Sequence, residues 1–316
     1  MGSSLPPDPQ LSAIVVHWRG EDHLRALWAA WPDDPRFELV VVDNGSDGSL
    51  ADLAAELGAG WVSPGRNLGF SGGVNAGARV ARAPLLLILN PDIVPRPGAL
   101  ERLLEGFVAD PAVAGLAPRL IGPDGARQTA WQLRPLPRSA DLLLQACLVP
   151  VGGGPDEEPA GGSVVEQPAA AAQAVRRAVF DRLGGFDEAF YPAWFEDVDF
   201  ARRLATAGER LRYHPAAEFR HHLGATVEGL GLGPFLWIYY RNLLRYGRKH
   251  HGAWLAPLAR LLLPLAALLR ILLLPLRRPR RARSRGQAMT AYGALALGAL
   301  SGWRWPSAWR RLGETP

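Results

Sequence analysis

The sequence predicts an α/β fold: a mostly parallel sheet with helices on both faces, followed by a separate helical region at the C-terminal end. Short apolar runs alternate with helical patterns over the first 120 residues. Those runs are continuous rather than alternating, as in strands buried on both faces of a parallel sheet. The balance of charge also changes sign near residue 240. In such sheets ligands bind outside the carboxyl ends of the strands, so the strand ends are where chemistry is expected.

In order, residues 11–16 read as a strand and 22–31 as a helix, then 37–42 as a strand and 50–57 as a helix. A third strand covers 61–62, a helix 73–82, a fourth strand 85–89, a helix 98–108 and a further strand 113–118. Residues 151–172, rich in Gly, Pro, Ala and acidic side chains, read as a mobile surface loop. A polar-aromatic segment follows over 175–226, and residues 234–312 are dominated by leucine, arginine and tryptophan. The expected organisation is a tail over 1–10, a main domain over 11–233 with halves 11–120 and 121–233, and a C-terminal region over 234–316.

With 316 residues, nearly half of them apolar, the chain can bury a sizeable core. Cys147 is the one cysteine, so no internal disulfide forms, and no paired Cys/His spacing suggests structural zinc. It reads as a small core residue, and a reducing, cytoplasmic compartment follows. The N-terminal residues lack a basic segment followed by an apolar one, so no cleaved secretory signal is expected. Residues 1–240 hold 20 basic and 29 acidic side chains, a balance of −9, whereas residues 241–316 hold 15 basic and one acidic (Glu314), a balance of +14. An acidic body with a basic, leucine-rich tail is not the profile of a nucleic-acid reader. It suggests an enzyme tethered to an anionic surface.

Four constellations fall at the expected strand ends, with a histidine pair beyond them. Asp43-Asn44-Gly45-Ser46-Asp47-Gly48 follows the second strand. Its first carboxylate can accept the imide N–H of a uracil or thymine ring, although the same residues make a good Asx-type turn. The run from Arg66-Asn67 through Gly72-Gly73-Val74-Asn75 to Gly77 opens a helix. Its glycines either admit phosphate oxygens to backbone N–H groups or let the helix pack closely on the sheet. Asn90-Pro91-Asp92 ends the fourth strand, and a carboxylate emerging there either meets a divalent cation or caps the next turn. Phe195-Glu196-Asp197-Val198-Asp199-Phe200 places three carboxylates in four positions, as a solvated helix start or as a site sharing metal and proton-transfer roles. Arg202 and Arg203 stand at helical spacing to pair with Asp199, which therefore reads as structural. His221-His222 can supply one imidazole to a metal shell, because adjacent residues on a strand face opposite ways, or can be structural.

In this order, VVDNGSDGS, RNLGFSGGVNAG, LNPD, GGFDE…FEDVDF and HHLGAT resemble the inverting glycosyltransferases of family 2, which have a GT-A fold. The likeness is to the bacterial rhamnosyltransferase-like branch and covers about residues 11–226. It implies a nucleotide-sugar half over 11–120 and an acceptor half over 121–233. It also implies Asp43 on the nucleobase, with Asn44, Arg66, Asn67, Gly72, Gly73, Asn75 and Asn90 lining the nucleotide sugar. Asp92 and His221 would hold Mg²⁺ or Mn²⁺, Asp197 would be the catalytic base, and Glu196 would assist it. The implied reaction is a single in-line displacement, with inversion, from a nucleotide-diphosphate sugar to a saccharide or lipid-linked acceptor; rhamnose from dTDP-rhamnose is the first expectation. Two stretches depart from the family pattern: Val15-Val16-His17-Trp18, where a tyrosine-asparagine pair is frequent, and residues 169–172, where a glycine-containing segment is usual.

Residues 255–276 are long enough, at about 1.5 Å per residue, to cross a hydrocarbon layer. Arg260 and Arg270 interrupt the run, and Pro257, Pro264 and Pro275 would break or kink it. The better expectation is helices lying in the interface at the inner face of the cell membrane, leucines toward the lipid and arginines snorkelling to phosphates. The arginine run at 277–285 and Trp303, Trp305 and Trp309 would assist. Packing of this region on the main body or on a second copy of the chain is the other reading. Two rival functions also remain, a sugar-nucleotide nucleotidyltransferase and a catalytically silent binding module. The first normally carries its glycine-rich loop after the first strand, where Val16-His17-Trp18-Arg19 stands here.

Overall fold

The computed structural model describes residues 8–18, 21–45, 60–222 and 230–303. The expected helix over 50–57, residues 46–48 and 223–226 of the motifs, Arg19, Trp305, Trp309, Glu314 and most of the expected tail lie outside the described residues. The chain divides into two compact units: 1–136 with 153–188 and 197–226, and 137–152 with 189–196 and 227–316. A single boundary after residue 233 was expected. Two earlier segments instead group with the C-terminal helices.

The first unit is a sheet between two helical layers. Its strands are β1 (Leu11–His17), β2 (Phe37–Asp43), β3 (Gly60–Val62), β4 (Leu85–Leu89), β5 (Ile93–Pro95), β6 (Gly115–Ile121), β8 (Val164–Val165), β10 (Ala172–Arg176) and β11 (Leu211–His221). A short pair, β7 (Leu133–Arg134) with β9 (Gln167–Pro168), stands apart. The order across the main sheet is β3-β2-β1-β4-β10-β6-β11-β5, with β8 on β11. The first four strands are parallel, as are β6 and β11. β10 runs antiparallel to both its neighbours, β4 and β6. The sheet is therefore mixed, with shorter antiparallel pairings added to the longer parallel ones. β10 arrives from an irregular segment, so it escapes the helical crossover that enforces parallel pairing. The segment expected to be a mobile loop ends earlier than residue 172: β8 and β9 form within it, and Ala169 to Ala172 are buried.

Alternate residues of each strand enter different cores. Leu11, Ala13, Val15, Leu85, Leu87 and Leu89 pack with helix α1 (Glu21–Ala29) and helix α3 (Ala99–Ala109). Ile14, Val16, Leu86 and Ile88 pack with helix α2 (Gly69–Val80), helix α6 (Arg177–Arg182) and helix α7 (Glu196–Thr206). This is why the strands read as unbroken apolar runs. Helix α2 begins four residues before the expected position. A Cβ on Gly73 would lie 2.6 Å from Val16 and one on Gly77 2.4 Å from Ile14, so these glycines bring the helix against β1 rather than marking its start.

Two neighbouring arginines fasten both layers. Arg176, at the end of β10, donates to the carbonyls of Phe107, Asp110 and Val113 at the close of α3. Arg177 donates to those of Ala78, Ala81 and Ala83 at the close of α2. Each guanidinium meets carbonyls that a helix end leaves without intrahelical partners.

The second unit is helical: α5 (Ser139–Ala146), α8 (Leu232–His250), α9 (Leu255–Leu272) and α10 (Arg285–Ser301). A four-residue helix, α4 (Thr129–Gln132), belongs to the first unit. Cys147 sits half-buried just after α5 instead of in a core. Helix α9 is long and apolar enough to cross a membrane by length and composition. Its arginines do not snorkel. Arg260 donates to the Ala299 carbonyl at 2.8 Å, near the end of α10, and Arg270 donates to the Leu148 carbonyl at 2.6 Å. The Trp303 ring meets Trp237 edge-on at 5.1 Å between centroids.

Candidate active site

The carboxyl ends of β1, β2 and β4 meet the beginning of β10 and the end of β11 along one edge of the sheet. His17 and Asp43 are register partners there, and both are buried. Asn44 is committed to the fold. Its backbone N–H donates to the His17 carbonyl, its amide donates to Asn67 Oδ1 and to the Gly69 carbonyl, and its Oδ1 accepts from the Leu68 N–H at 2.7 Å. Asn67 Oδ1 also accepts the Gly69 N–H at 2.8 Å. These two asparagines shape the turn into α2 and have few lone pairs left for a ligand. Arg66, one residue before, is exposed.

Gly72 and Gly73 of α2 are buried, Gly73 against Val16 of β1 and Gly72 beside Leu68 and Glu188. Asn75 was expected at the nucleotide sugar, yet both ends of its amide are occupied. It donates to the Phe186 carbonyl and to Glu188, and accepts the Phe186 N–H at 2.9 Å. It thereby fastens the Gly184-Gly185 turn, where both glycines have positive φ. Asp199 is fully buried and paired with Arg203 at 2.8 Å, while Arg203 also donates to the Leu183 and Gly185 carbonyls. It is structural, with Arg203 as its partner.

Asp92 and His221 come together. Asp92 Oδ2 lies 3.7 Å from His221 Nε2, and both side chains are almost wholly buried. The His222 N–H donates to the Asp92 carbonyl, tying the end of β11 to the turn after β4. His221 Nδ1 lies 2.7 Å from Gln128 Oε1, and the Gln128 amide donates back to the His221 carbonyl. Trp131 packs over the ring at 5.0 Å between centroids. Burial, with the charge of His222 next to it, pushes the His221 pKa down to about 4. The neutral ring then carries its proton on Nδ1 toward Gln128, leaving the Nε2 lone pair toward Asp92.

Asp197 is half-buried at the start of α7. Its Oδ2 accepts from the Gln167 amide at 3.2 Å and from the Ala170 N–H at 3.4 Å, and its Oδ1 accepts the Val198 N–H at 2.8 Å. One residue on, the Ala171 carbonyl accepts the N–H of Asn90 at 2.8 Å. The run at 169–172 thus links the two acidic motifs through its backbone, and small side chains allow that approach. Asn90 is half-buried, and its carbonyl closes the turn to Ile93.

Glu196, the first residue of α7, is buried and groups with the second unit. The two residues before it, Trp194 and Phe195, both have positive φ, 70° and 72°. That region is unfavourable for non-glycine side chains. Asn242 of α8 holds it, donating to the carbonyls of Ala193 at 2.8 Å and Trp194 at 3.1 Å and more weakly to that of Tyr191, while Phe195 packs against Tyr239 and Tyr246. Sequence reasoning missed Gln128, Gln167 and Asn242. All three are buried, but an amide carries no spacing signature that a sequence could show.

Two protein ligands suit a hard divalent ion shared with phosphate oxygens and water. Neighbouring ligands at about 2.1 Å from one ion stand about 3 Å apart, close to the Asp92–His221 separation. Among the described residues no group of three or more His, Cys, Asp or Glu gathers to hold a metal. The residues therefore fit an ion completed by a substrate rather than a closed structural site.

Residues 12–156 match the family model described as glycosyl transferase family 2. The chain is 28% identical over 284 residues to the N-acetylglucosaminyl-diphospho-decaprenol L-rhamnosyltransferase of Mycobacterium tuberculosis, covering 78% of this chain and 87% of that protein. It is 26% identical over 243 residues to the rhamnosyltransferase WbbL of Escherichia coli, covering 74% and 90% respectively. The mannosyltransferase PcManGT of Pyrobaculum calidifontis, solved with GDP-Man and Mn²⁺, superposes with a TM-score of 0.52 at 17% identity, over 94% of this chain and 88% of that one. This last likeness establishes the GT-A-type fold.

Proposed function

From the match of residues 12–156 to glycosyl transferase family 2 and the likeness to rhamnosyltransferases, we propose that the chain transfers rhamnose, with inversion, from dTDP-rhamnose to a hydroxyl of a cell-surface glycan or lipid-linked saccharide. The observation that carries the reading is the sheet edge where Asp92 and His221 stand 3.7 Å apart and the 169–172 run connects Asn90 to Asp197.

In this reading residues 11–120 serve the donor and residues 121–233 the acceptor. Asp43 accepts the imide N–H of the base, and Arg66 stands exposed for the diphosphate. Asn44, Asn67 and Asn75 act one step back, by holding the turn into α2 and the Gly184-Gly185 turn. Gly73 serves by letting α2 sit close to β1, and Gly72 by leaving room beside Leu68 and Glu188. Asp92 and His221 would hold Mg²⁺ or Mn²⁺, which supplies charge neutralisation on the departing diphosphate. Asp197 removes the proton of the acceptor hydroxyl, and Gln167 and the Ala170 N–H hold that carboxylate in place. Glu196 orients beside it. The work takes place at the inner face of the cell membrane, with the protein attached peripherally to an anionic surface.

The test is hydrolysis of a panel of nucleotide sugars by the purified chain with Mg²⁺ or Mn²⁺ and no acceptor. Turnover confined to dTDP-rhamnose is expected. Turnover of a different sugar nucleotide would overturn the donor, and equal turnover in chelator would overturn the metal.

A further inference from the structure

Helix α9 has two apolar faces. Leu255, Ala256, Ala259, Leu263 and Ala267, spaced by one, three or four residues, are buried. Leu258, Leu261, Leu265, Leu268, Leu269 and Leu272 form the opposite stripe, and the last five are 54–66% exposed. Leu273 and Leu276 continue it, and Leu297 and Leu300 of α10 are also exposed. An aliphatic surface of this extent on a folded unit marks a contact with something apolar. The two charges within α9 do not interrupt it, because Arg260 and Arg270 are directed to the Ala299 and Leu148 carbonyls.

Charge decides what the contact is. Residues 230–303 contain 12 Lys and Arg and no Asp or Glu. Directly after α9 stand Arg277, Arg278, Arg280, Arg281, Arg283 and Arg285, all exposed. Arg278 and Arg285 donate to backbone carbonyls and Arg281 lies over the Phe235 ring, contacts that leave their positive charge uncancelled. A second copy of the chain would bring the same positive charge against itself. An anionic bilayer offers hydrocarbon to the leucines and phosphate to the guanidinium groups.

We propose that α9 lies in the plane of an anionic membrane, with its outward leucine stripe in the acyl layer and the 277–285 arginines on lipid phosphates. This deepens the peripheral attachment proposed above and rests on it. Lying flat follows from the packing: the inner stripe is already covered by protein, so the helix cannot present apolar side chains all round as a span must.

Flotation of the purified full chain with preformed vesicles tests this, using phosphatidylcholine alone and phosphatidylcholine with phosphatidylglycerol. The wild type is expected to float with the anionic vesicles at least tenfold more than with the neutral ones. The combined variant Leu261→Asn, Leu265→Asn, Leu268→Asn is expected to lose at least tenfold of that binding, while its circular dichroism and acceptor-free nucleotide-sugar hydrolysis stay unchanged. Wild type that stays at the bottom, or a variant that floats as well as wild type, overturns the proposal. So does wild type that is dimeric by light scattering and becomes monomeric in the variant without having bound vesicles. Hydrolysis is read in the same samples, so wild type that hydrolyses the nucleotide sugar but does not float rejects the membrane face and leaves sugar transfer standing.

Discussion

The strand-end edge of the first unit and helix α9 of the second handle charge in opposite ways. At the edge, carboxylates and amides are drawn into the protein, and each is met by a specific donor or acceptor: Asp197 by Gln167 and Ala170, His221 by Gln128, Asn75 by Phe186. Around α9 the charged groups are also drawn in, to backbone carbonyls, while the leucines remain outside. In the first case buried polarity leaves acid–base groups and a lone pair in place for chemistry. In the second it clears a surface of charge. An arginine inside a leucine run thus signals different things according to whether a helix end lies within its reach.

The largest expected effect probes the edge. Asp197→Asn should lower kcat by about 10²–10⁴-fold, with dTDP-rhamnose binding by calorimetry retained; turnover near wild type would remove Asp197 as base. Next comes Gln128→Leu, which frees Nδ1 of His221 without touching Asp92. Metal affinity or activity should fall by about 10–100-fold and recover partly at high Mn²⁺. A variant indifferent to metal concentration would separate His221 from any ion.

Asn242→Ala probes the second unit where it holds the segment before Glu196. Urea unfolding should show a loss of about 1–3 kcal/mol, because two buried carbonyls lose their donor and a third loses a weak one. The smallest effect tests the contrast within α9 itself. Arg260→Met should lower stability by about 1 kcal/mol through the uncapped end of α10, whereas Leu265→Asn should change it by less than about 0.5 kcal/mol. The reverse order would mean that the leucine stripe packs on protein and that Arg260 faces solvent.

Strands β1, β2 and β4 were legible because burial on both faces leaves unbroken apolar runs. β10 was not, since Ala172-Gln173-Ala174-Val175-Arg176 has neither a run nor an alternation, and its antiparallel entry depends on the neighbours it inserts between. Asp43, Asp92 and His221 stood out because ionisable groups at strand ends need a partner, and Asp197 because it sits among three carboxylates in four positions. Gln128 and Gln167 did not, because an amide carries no spacing signature and their partners lie 93 and 30 residues away. Asn44, Asn67 and Asn75 were expected to line a ligand, and in the structure their amides bond to the turn into α2 and to the segment around Phe186. The direction of Arg260 and Arg270 was hidden because their acceptors are main-chain carbonyls, which every residue supplies.

Arg176 and Arg177 act as a built-in proofreading device for assembly. Being consecutive, they emerge on opposite faces of the sheet, and each fits the end of only one helix. If β10 slid by one residue between β4 and β6, both guanidinium groups would arrive at the wrong layer together, beside side chains rather than open carbonyls. The strand that runs against both its neighbours, β4 and β6, therefore carries its own two-sided check on alignment, and a mispaired arrangement would lose contacts on both faces at once.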